Sequence, residues 1–270
     1  MRLFWDLKKG LSSILILCAT CVSAQDTPSS IEDFKDKKVL YADIGYNASP
    51  FTIRYPFNEQ TNNLKFKNNF KTFLGIGFAY KWFNLRIGFP ILGFVKPVSQ
   101  WGESQQFNLG FNFSVKKLFF DFDFKTVRGY AIQGYSDLDS SYVVGETENR
   151  ITPTVGITNF SLNGWYFHNK DFKMSALRGK QAHYKRTVQT WYLKGTVNAF
   201  GLDNNGKAII PAFLIDNNVS KTEASLYSAF DFGLIPGYAY VTRIHNWQLS
   251  GWLGLGAVIQ SKFYSSSGSP

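Results

Sequence analysis

The sequence has little of the chemistry on which many enzymes and metal proteins depend. It contains only two cysteines, Cys18 and Cys21, two methionines and three histidines. This scarcity leaves little room for thiol, iron–sulfur or cysteine-zinc chemistry. A chain with no cysteine after residue 21 also differs from the small secreted modules that disulfides hold together.

A long apolar run is missing as well. After residue 25 no stretch reaches the length of about 18 apolar residues that a transmembrane helix needs. The apolar segment LSSILILCATCV follows the basic start MRLFWDLKKG and precedes Val22-Ser23-Ala24, an order typical of a secretory signal peptide. We therefore predict a signal peptide at 1–24, which would remove both cysteines; a lipidated cysteine is the alternative.

The charge is strongly one-sided, with a formal net charge of +10. Such a charge suits nucleic acid, anionic lipid or an acidic ligand. Export argues against nucleic acid, also for the basic segment 168–186, and we expect no nucleic-acid partner.

What the sequence does contain is a period of two, which is typical of strands with two different faces. Large apolar side chains alternate with small or polar ones, and 17% of the residues are aromatic. We predict nine strands, at 39–57, 72–82, 84–92, 105–115, 118–128, 155–167, 186–199, 225–235 and 246–260.

Two of the predicted hairpins can be tested for register, because residues that face each other share one side of a sheet. A turn at Lys116-Lys117 places Val115 opposite Leu118 and Phe111 opposite Phe122. A turn at Phe83-Asn84 places Trp82 opposite Leu85 and Tyr80 opposite Ile87. Both pairings keep the apolar side chains together.

The composition of the two faces favours a barrel in the outer membrane over a soluble sandwich or lipocalin-like barrel. The polar faces are rich in Gly, Ala, Ser and Asn, the strands have the length that a tilted crossing needs, and Trp and Tyr gather near strand ends. We predict an all-β, antiparallel, up-and-down transmembrane β-barrel. The predicted lumen-facing residues are Lys81, Arg86, Asp121, Asp123 and Lys125. The predicted lipid-facing residues are Leu74, Ile76, Phe78, Ile87, Phe89, Phe111, Phe113, Phe120 and Phe122.

Nine crossings do not match the even strand numbers of bacterial barrels. We expect 10–12 strands when the barrel is complete, so that either the chain is a fragment or the first segment is miscounted. The expected organisation is a signal peptide at 1–24, a periplasmic lead-in at 25–38, the barrel at 39–264 and a polar tail at 265–270. The short connections between strands are assigned to the periplasmic rim. By strand parity, 129–154 and 200–224 then lie on the extracellular side, and 168–185 becomes an unusually long, basic periplasmic turn.

The signal peptide, LGIGFAYKWFNLRIGFP, LFFDFDFKTVRGYAIQ and DFGLIPGYAYVTRIHNWQLSGWLGLGAVIQ together resemble a Bacteroidota family known only as domain of unknown function 4421. The resemblance covers most of residues 35–264. It implies an exported outer-membrane β-barrel protein and supplies no functional residues.

Catalytic and metal-binding motifs are sparse. His168, His183 and His245 lie in no nucleophile or zinc motif, and we interpret them as interfacial or loop residues. Asp121 and Asp123 share one strand face, where ion pairing with nearby bases is the expected role. We predict no catalytic, cofactor or metal site.

The function that these observations favour is a non-enzymatic outer-membrane barrel, either structural or a narrow, plugged channel. Its expected partners are outer-membrane lipid and, during biogenesis, the barrel-assembly machinery. Two alternatives remain: a barrel enzyme acting on lipid or envelope glycan, and a soluble periplasmic or secreted ligand-binding barrel.

Overall fold

The structure, a computed structural model, is built mostly from antiparallel β-strands, which confirms the all-β prediction. The predicted signal peptide and residues 25–30 of the predicted lead-in lie outside the residues that it describes. Within those residues no helix is both long and apolar enough to cross a membrane. The described residues are 31–46, 49–57, 61–70, 72–91, 95–142, 147–179, 181–216 and 218–266.

One sheet of twelve strands contains all the long strands of the described residues. Across this sheet the order is β2, β5, β6, β7, β8, β9, β11 and β12, after which both β13 and β14 pair with β12. The bounds are β2 Val39–Tyr46, β3 Phe51–Arg54, β4 Asn63–Lys67, β5 Thr72–Tyr80, β6 Phe83–Pro90, β7 Gln105–Val115, β8 Leu118–Ile132, β9 Arg150–Phe167, β11 Val188–Asp203, β12 Ala224–Ile244, β13 Trp247–Gly254 and β14 Ala257–Ser266.

Small elements complete the described fold. A separate two-stranded sheet pairs β1 with β10, and the hairpin of β3 and β4 joins the main sheet through β8. Their bounds, with those of the helices, are β1 Ile31–Asp33, β10 Ala182–Tyr184, α1 Val98–Trp101, α2 Met174–Leu177 and the 3-10 helices Tyr135–Asp137, Ala212–Leu214 and Ser220–Glu223.

The last two strands form one edge of the sheet. β13 pairs with the C-terminal half of β12 and β14 with its N-terminal half, so they act as one strand interrupted at Leu255-Gly256. At the interruption the Leu255 N–H donates to the Pro236 carbonyl at 3.1 Å, which keeps the edge attached. The described sheet is therefore nine strands across, with β2 at its other edge.

The register prediction is confirmed for one hairpin and wrong for the other. β7 and β8 pair as predicted, with Val115 opposite Leu118 and Phe111 opposite Phe122. In the hairpin of β5 and β6 the turn is Lys81-Trp82, not Phe83-Asn84, and Phe78 lies opposite Leu85. The physical reason is the turn backbone: Lys81 has a φ of +52°, as Lys116 has at the start of the other turn.

Several predicted strand ends are also corrected. The predicted strand 39–57 is two strands, β2 and β3, which pair with different partners. β8, β9, β11 and β12 extend beyond their predicted ends, and β14 continues to Ser266, into the predicted polar tail. The strands β1, β4 and β10, which are only three to five residues long, were not predicted from the sequence.

The sheet has two unlike ends, which we name by their connections. The turn end carries the tight turns at 81–82, 116–117 and 245–246, together with the 168–187 connection. The loop end carries the β3–β4 hairpin and the connections 133–149 and 204–223. Each end has its own buried apolar cluster, and polar side chains lie between the two clusters.

Candidate functional site: the polar face of the sheet

Four of the five predicted lumen-facing residues lie on one face of the sheet, which we call the polar face. Arg86 lies on β6, and Asp121, Asp123 and Lys125 alternate along β8. Lys81 does not join them, because it lies exposed in the turn between β5 and β6. Its backbone instead contacts Lys35, whose carbonyl accepts the Lys81 N–H at 2.8 Å.

The opposite face, which we call the apolar face, carries the nine residues predicted to face lipid. On β5 and β6, Ile76 is 46% exposed and Ile87 and Phe89 are each 42% exposed. On β7 and β8 the phenylalanines form a contact row, in which Phe113 stacks on Phe120 with a centroid distance of 5.1 Å. At the turn end, Trp82 packs edge-on against Phe111 and Phe113 of this row, with centroid distances of 6.4 and 6.3 Å.

The shortest ion pair of the polar face joins β2 to β6. Arg86 donates from Nε and Nη2 to the two carboxylate oxygens of Asp43, at 2.7 and 2.5 Å. The guanidinium also lies over the ring of Phe73, 5.1 Å from its centroid. Both side chains reach across the intervening strand β5, where Gly75 leaves room: a Cβ there would be 2.6 Å from each of them.

A second ion pair fastens the 168–187 connection to the polar face. Arg178 donates to Asp121 at 2.9 Å, and its guanidinium lies 4.9 Å from the centroid of the Phe119 ring. Gln248 adds two bonds, donating to the Ala176 carbonyl at 2.8 Å and accepting the Tyr184 N–H at 2.9 Å. The connection predicted as a long basic turn is thus folded over the described residues 169–179 and 181–184, which we call the turn-end plug.

The inside of the turn-end plug is apolar and buried. Phe172 packs against Phe167 with a centroid distance of 4.7 Å, and both are buried with α2. Tyr184 is fully buried; its hydroxyl accepts the Lys173 N–H at 2.7 Å and donates to the Lys173 carbonyl at 3.1 Å. Burial raises the pKa of Tyr184 above its ordinary range. Burial, together with the neighbouring charge of Lys35, lowers the pKa of the Lys173 amine.

The loop end is closed by a second apolar cluster. The β3–β4 hairpin contributes Leu64 and Phe66, both fully buried, which pack with Tyr130 and Ile132 of β8. The connections add further apolar side chains, and Arg150 at the start of β9 donates to the Tyr135 hydroxyl. We call this part of the structure the loop-end plug.

A cavity of about 670 Å³ lies on the polar face directly beside the loop-end plug. Its walls come from β8, β9, β11, β12 and β14, with Phe51 of β3 contributing from the plug. Phe51 is held by stacking on Phe66 at 4.5 Å and by an edge contact with Tyr130 at 5.1 Å. The polar and charged lining residues are Ser49, Lys125, Asn159, Asn198, Tyr227, Ser228, Asp231, Gln260 and Lys262.

Several buried side chains have polar atoms with no hydrogen-bond partner among the described residues. They belong to Asn68, Asn69, Gln106, Asn108 and Tyr130. Of these residues, Asn108 lies opposite Lys125, which lines the cavity, across the β7–β8 pair. Buried amides of this kind are usually satisfied by ordered water or by a bound group.

The three histidines lie apart in different surroundings. His168 stacks on Trp191 with a centroid distance of 4.8 Å, His183 lies 3.2 Å from a Glu32 oxygen, and His245 occupies a tight turn with a φ of +54°. Among the described residues, no group of three or more His, Cys, Asp or Glu side chains could hold a metal ion.

Comparison with known families agrees with the resemblance seen in the sequence. Residues 26–269 match the family described as Domain of unknown function (DUF4421). The chain belongs to this family. No curated protein and no solved structure shows a match to it. Since the family description names no activity, the function of this member has to be argued from its own two faces and two plugs.

Proposed function

We propose that the chain is a non-enzymatic outer-membrane β-barrel protein, either structural or forming a narrow channel that its own plugs obstruct. The observation that carries this proposal is the distribution of side chains over the two faces. Large apolar groups, many of them exposed, cover the apolar face, whereas ion pairs, amides and both plugs occupy the polar face. A water-soluble sandwich or lipocalin-like barrel requires the reverse.

The extent of the exposed apolar surface supports this proposal. It continues from Leu40 on β2, which is 77% exposed, to Leu253 on β13, which is 82% exposed. Isolated exposed apolar residues are ordinary in soluble proteins, but a continuous apolar surface marks contact with lipid or with another protein. Aromatic residues at the strand ends, such as Trp191 and Trp247, fit the interfacial positions of a membrane barrel.

The two plugs support an obstructed bore rather than an open pore. The turn-end plug is held by Arg178 and Gln248, and the loop-end plug by a cluster of fully buried side chains. A solute crossing along the polar face would have to pass both. For this reason we propose structural support or narrow conduction and not the diffusion of large solutes.

The test is fractionation of cells that express the full chain, with unheated and boiled samples compared on a gel. We expect recovery in the outer membrane, with an unheated form whose mobility differs from that of the boiled form. A soluble envelope protein that shows no mobility difference would refute the membrane assignment. Planar-bilayer recording of the purified chain would then check the plugs, with little or no steady conductance as the expected result.

A further inference from the structure

We propose that a pocket at the turn end binds the phosphate group of an anionic phospholipid, whose acyl chains lie along the apolar face. This inference rests on the proposed membrane function, because lipid has to cover that face. The pocket, which we call the turn-end pocket, has a volume of about 510 Å³. This volume lies within the range of about 300–1,000 Å³ that is typical of small-molecule sites. Its lining comes from the β7–β8 turn, the start of the 168–187 connection, β11 and β12.

The charge of the lining favours an anion, because the described lining residues include two amines and no carboxylate. The amines are those of Lys117 and Lys170. The Lys117 amine donates to the His168 carbonyl at 2.9 Å, a neutral partner that leaves two of its three N–H groups for a ligand. Lys170 is exposed at the edge of the pocket, where its amine can reach the same ligand.

The segments that supply these lysines do not cancel their charge. The β7–β8 turn is Lys116-Lys117 and contains no acidic residue. The 168–187 connection has one carboxylate, that of Asp171, and Arg186 pairs with it at 3.3 Å. The side chains that β11 and β12 add to the lining are neutral. The two amines are therefore an excess of positive charge that a phosphate can balance.

The walls of the turn-end pocket are already held in place without a ligand. His168 stacks on Trp191 with a centroid distance of 4.8 Å and an interplanar angle of 15°. Asn169 then attaches the connection to β11: its N–H donates to the Thr190 hydroxyl at 3.0 Å, and its side-chain amide donates to the Gln189 carbonyl at 3.0 Å. A site that is ordered in advance loses less conformational freedom when it binds.

The aromatic wall favours a lipid over a soluble phosphate. Trp191 and Tyr238 lie directly opposite each other on β11 and β12, and both are exposed on the apolar face. Towards the middle of β11 the same face continues with Leu193 and Val197, which are also exposed. An acyl chain that leaves the pocket along β11 therefore stays on apolar side chains while the phosphate remains at the lysines. Aromatic rings at the headgroup level with amines towards water are the usual order at a membrane interface.

The experiment titrates the purified full chain, in micelles of a neutral detergent, with dioleoylphosphatidylglycerol or dioleoylphosphatidylcholine and counts bound lipid by native mass spectrometry. We expect one phosphatidylglycerol per chain, with a Kd at least about fivefold below that of phosphatidylcholine, whose ammonium meets no carboxylate in the pocket. Lys117→Gln and Lys170→Gln should each remove most of this preference. Lys81→Gln is the matched control, because Lys81 lies in another tight turn of the same end, over the Tyr80 ring, and outside the pocket. Its preference should stay within about twofold of wild type.

Two further measurements on the wild-type chain separate the possible outcomes. sn-Glycerol 3-phosphate, the soluble headgroup fragment, should bind at least about tenfold more weakly than phosphatidylglycerol; equal binding would indicate a site for free phosphate and overturn the proposal. The chain is also folded in phosphatidylcholine vesicles and washed with alkaline carbonate. A chain that stays in the vesicles but shows no preference for phosphatidylglycerol in the titration would overturn this site and leave the membrane function standing. A chain that the wash removes would overturn both.

Discussion

At the scale of single residues, the small side chains of the polar face provide space for large neighbours. A Cβ at Gly77 would lie 2.0 Å from the Tyr41 ring, and a Cβ at Gly88 would lie 1.8 Å from the Phe73 ring. Both rings reach across from an adjacent strand, and the Tyr41 hydroxyl then donates to Asn84 at 2.6 Å. The glycines in this part of the sheet therefore reflect close packing on the polar face.

Replacing Gly77 by alanine should destabilise the fold by about 1–3 kcal/mol, the usual cost of forcing an extra group into a packed site. The loss should appear as a lower urea midpoint for disappearance of the folded form. Gly201→Ala is the control, since nothing lies within 4 Å of a Cβ at that strand position. Adding Tyr41→Ala to Gly77→Ala should remove most of the clash, and equal midpoints for the two glycine variants would contradict the packing argument.

Asp139 in the loop-end connection makes the local structure sensitive to acid. Its carboxylate accepts from the Ser141 hydroxyl at 2.6 Å and from the Ser141 N–H at 3.0 Å, and these bonds lower its pKa below the ordinary 3.8. A lowered pKa means that the contribution is present above pH 3.8 and is lost as the pH falls through the folded-state value. We expect the hydrogen-exchange protection of the Ser141 amide to be constant above about pH 5 and to fall in stronger acid.

The control for this prediction is Asp139→Asn, which cannot ionise. Its Ser141 amide should be less protected at neutral pH, and its protection should not change in acid once intrinsic exchange is corrected for. An acid-induced loss of the same size in wild type and in the variant would assign the effect to another group.

At the scale of elements, the turn-end plug depends on a few buried polar contacts. Tyr184→Phe removes the hydroxyl that bonds both the N–H and the carbonyl of Lys173 in a fully buried setting. Leaving such groups unpaired costs about 1–3 kcal/mol. We expect limited trypsin digestion to cut the plug at Lys170, Lys173 or Arg178 at least about fivefold faster, because local opening becomes more frequent.

Tyr240→Phe is the matched control for the plug experiment. Tyr240 lies on the apolar face of β12 and is 43% exposed, so losing its hydroxyl leaves the plug untouched. Cleavage that accelerates equally in both variants would show global loosening and would contradict a local role for Tyr184.

The two hairpins show which features of the strands could be predicted from the sequence and which could not. The β7–β8 register followed from the alternating faces on both sides of Lys116-Lys117. The β5–β6 hairpin offered the same alternation, but Tyr80, Trp82 and Phe83 gave no unique turn position. The turn instead lies at Lys81, where the backbone φ is positive. It is two residues earlier than predicted, and this shift leaves the faces of the two strands unchanged. Alternation therefore predicts faces more reliably than it predicts turns.

The plugs could not be predicted from the sequence, for a different reason. β1 pairs with β10, so Ile31 lies opposite Tyr184 although more than half of the chain separates them in sequence. Neither strand exceeds three residues, and local periodicity cannot reveal a contact at that separation. Likewise, the Asp121 and Lys125 positions were predictable from period two, whereas the Arg178 partner and the cavity depend on how distant segments fold over the sheet.

At the scale of the whole molecule, strand direction limits how the described sheet can close. Neighbours across it are antiparallel, so β2 and the β13–β14 edge, eight steps apart, run in the same direction. These two edges could meet directly only as a parallel pair. An odd number of additional strands would restore antiparallel pairing, and a single one would give the even number typical of bacterial barrels.

If the sheet is inserted in a membrane, the free-energy cost of a charge on the apolar face should depend on the depth of that charge in the bilayer. Val197 lies near the middle of β11 on that face, whereas Gln189 lies on the same face near the turn end. If lipid covers the face, Val197→Arg should cost about 2–4 kcal/mol and Gln189→Arg about 0–1 kcal/mol, because the penalty for arginine declines from the bilayer midplane to the interface. The measurement is the urea midpoint of each variant folded in lipid vesicles.

Lysine at the same two positions should give the same order of penalties. A soluble β-protein with this face exposed to water would tolerate arginine equally at both positions, so equal midpoints would remove the physical basis for the membrane assignment.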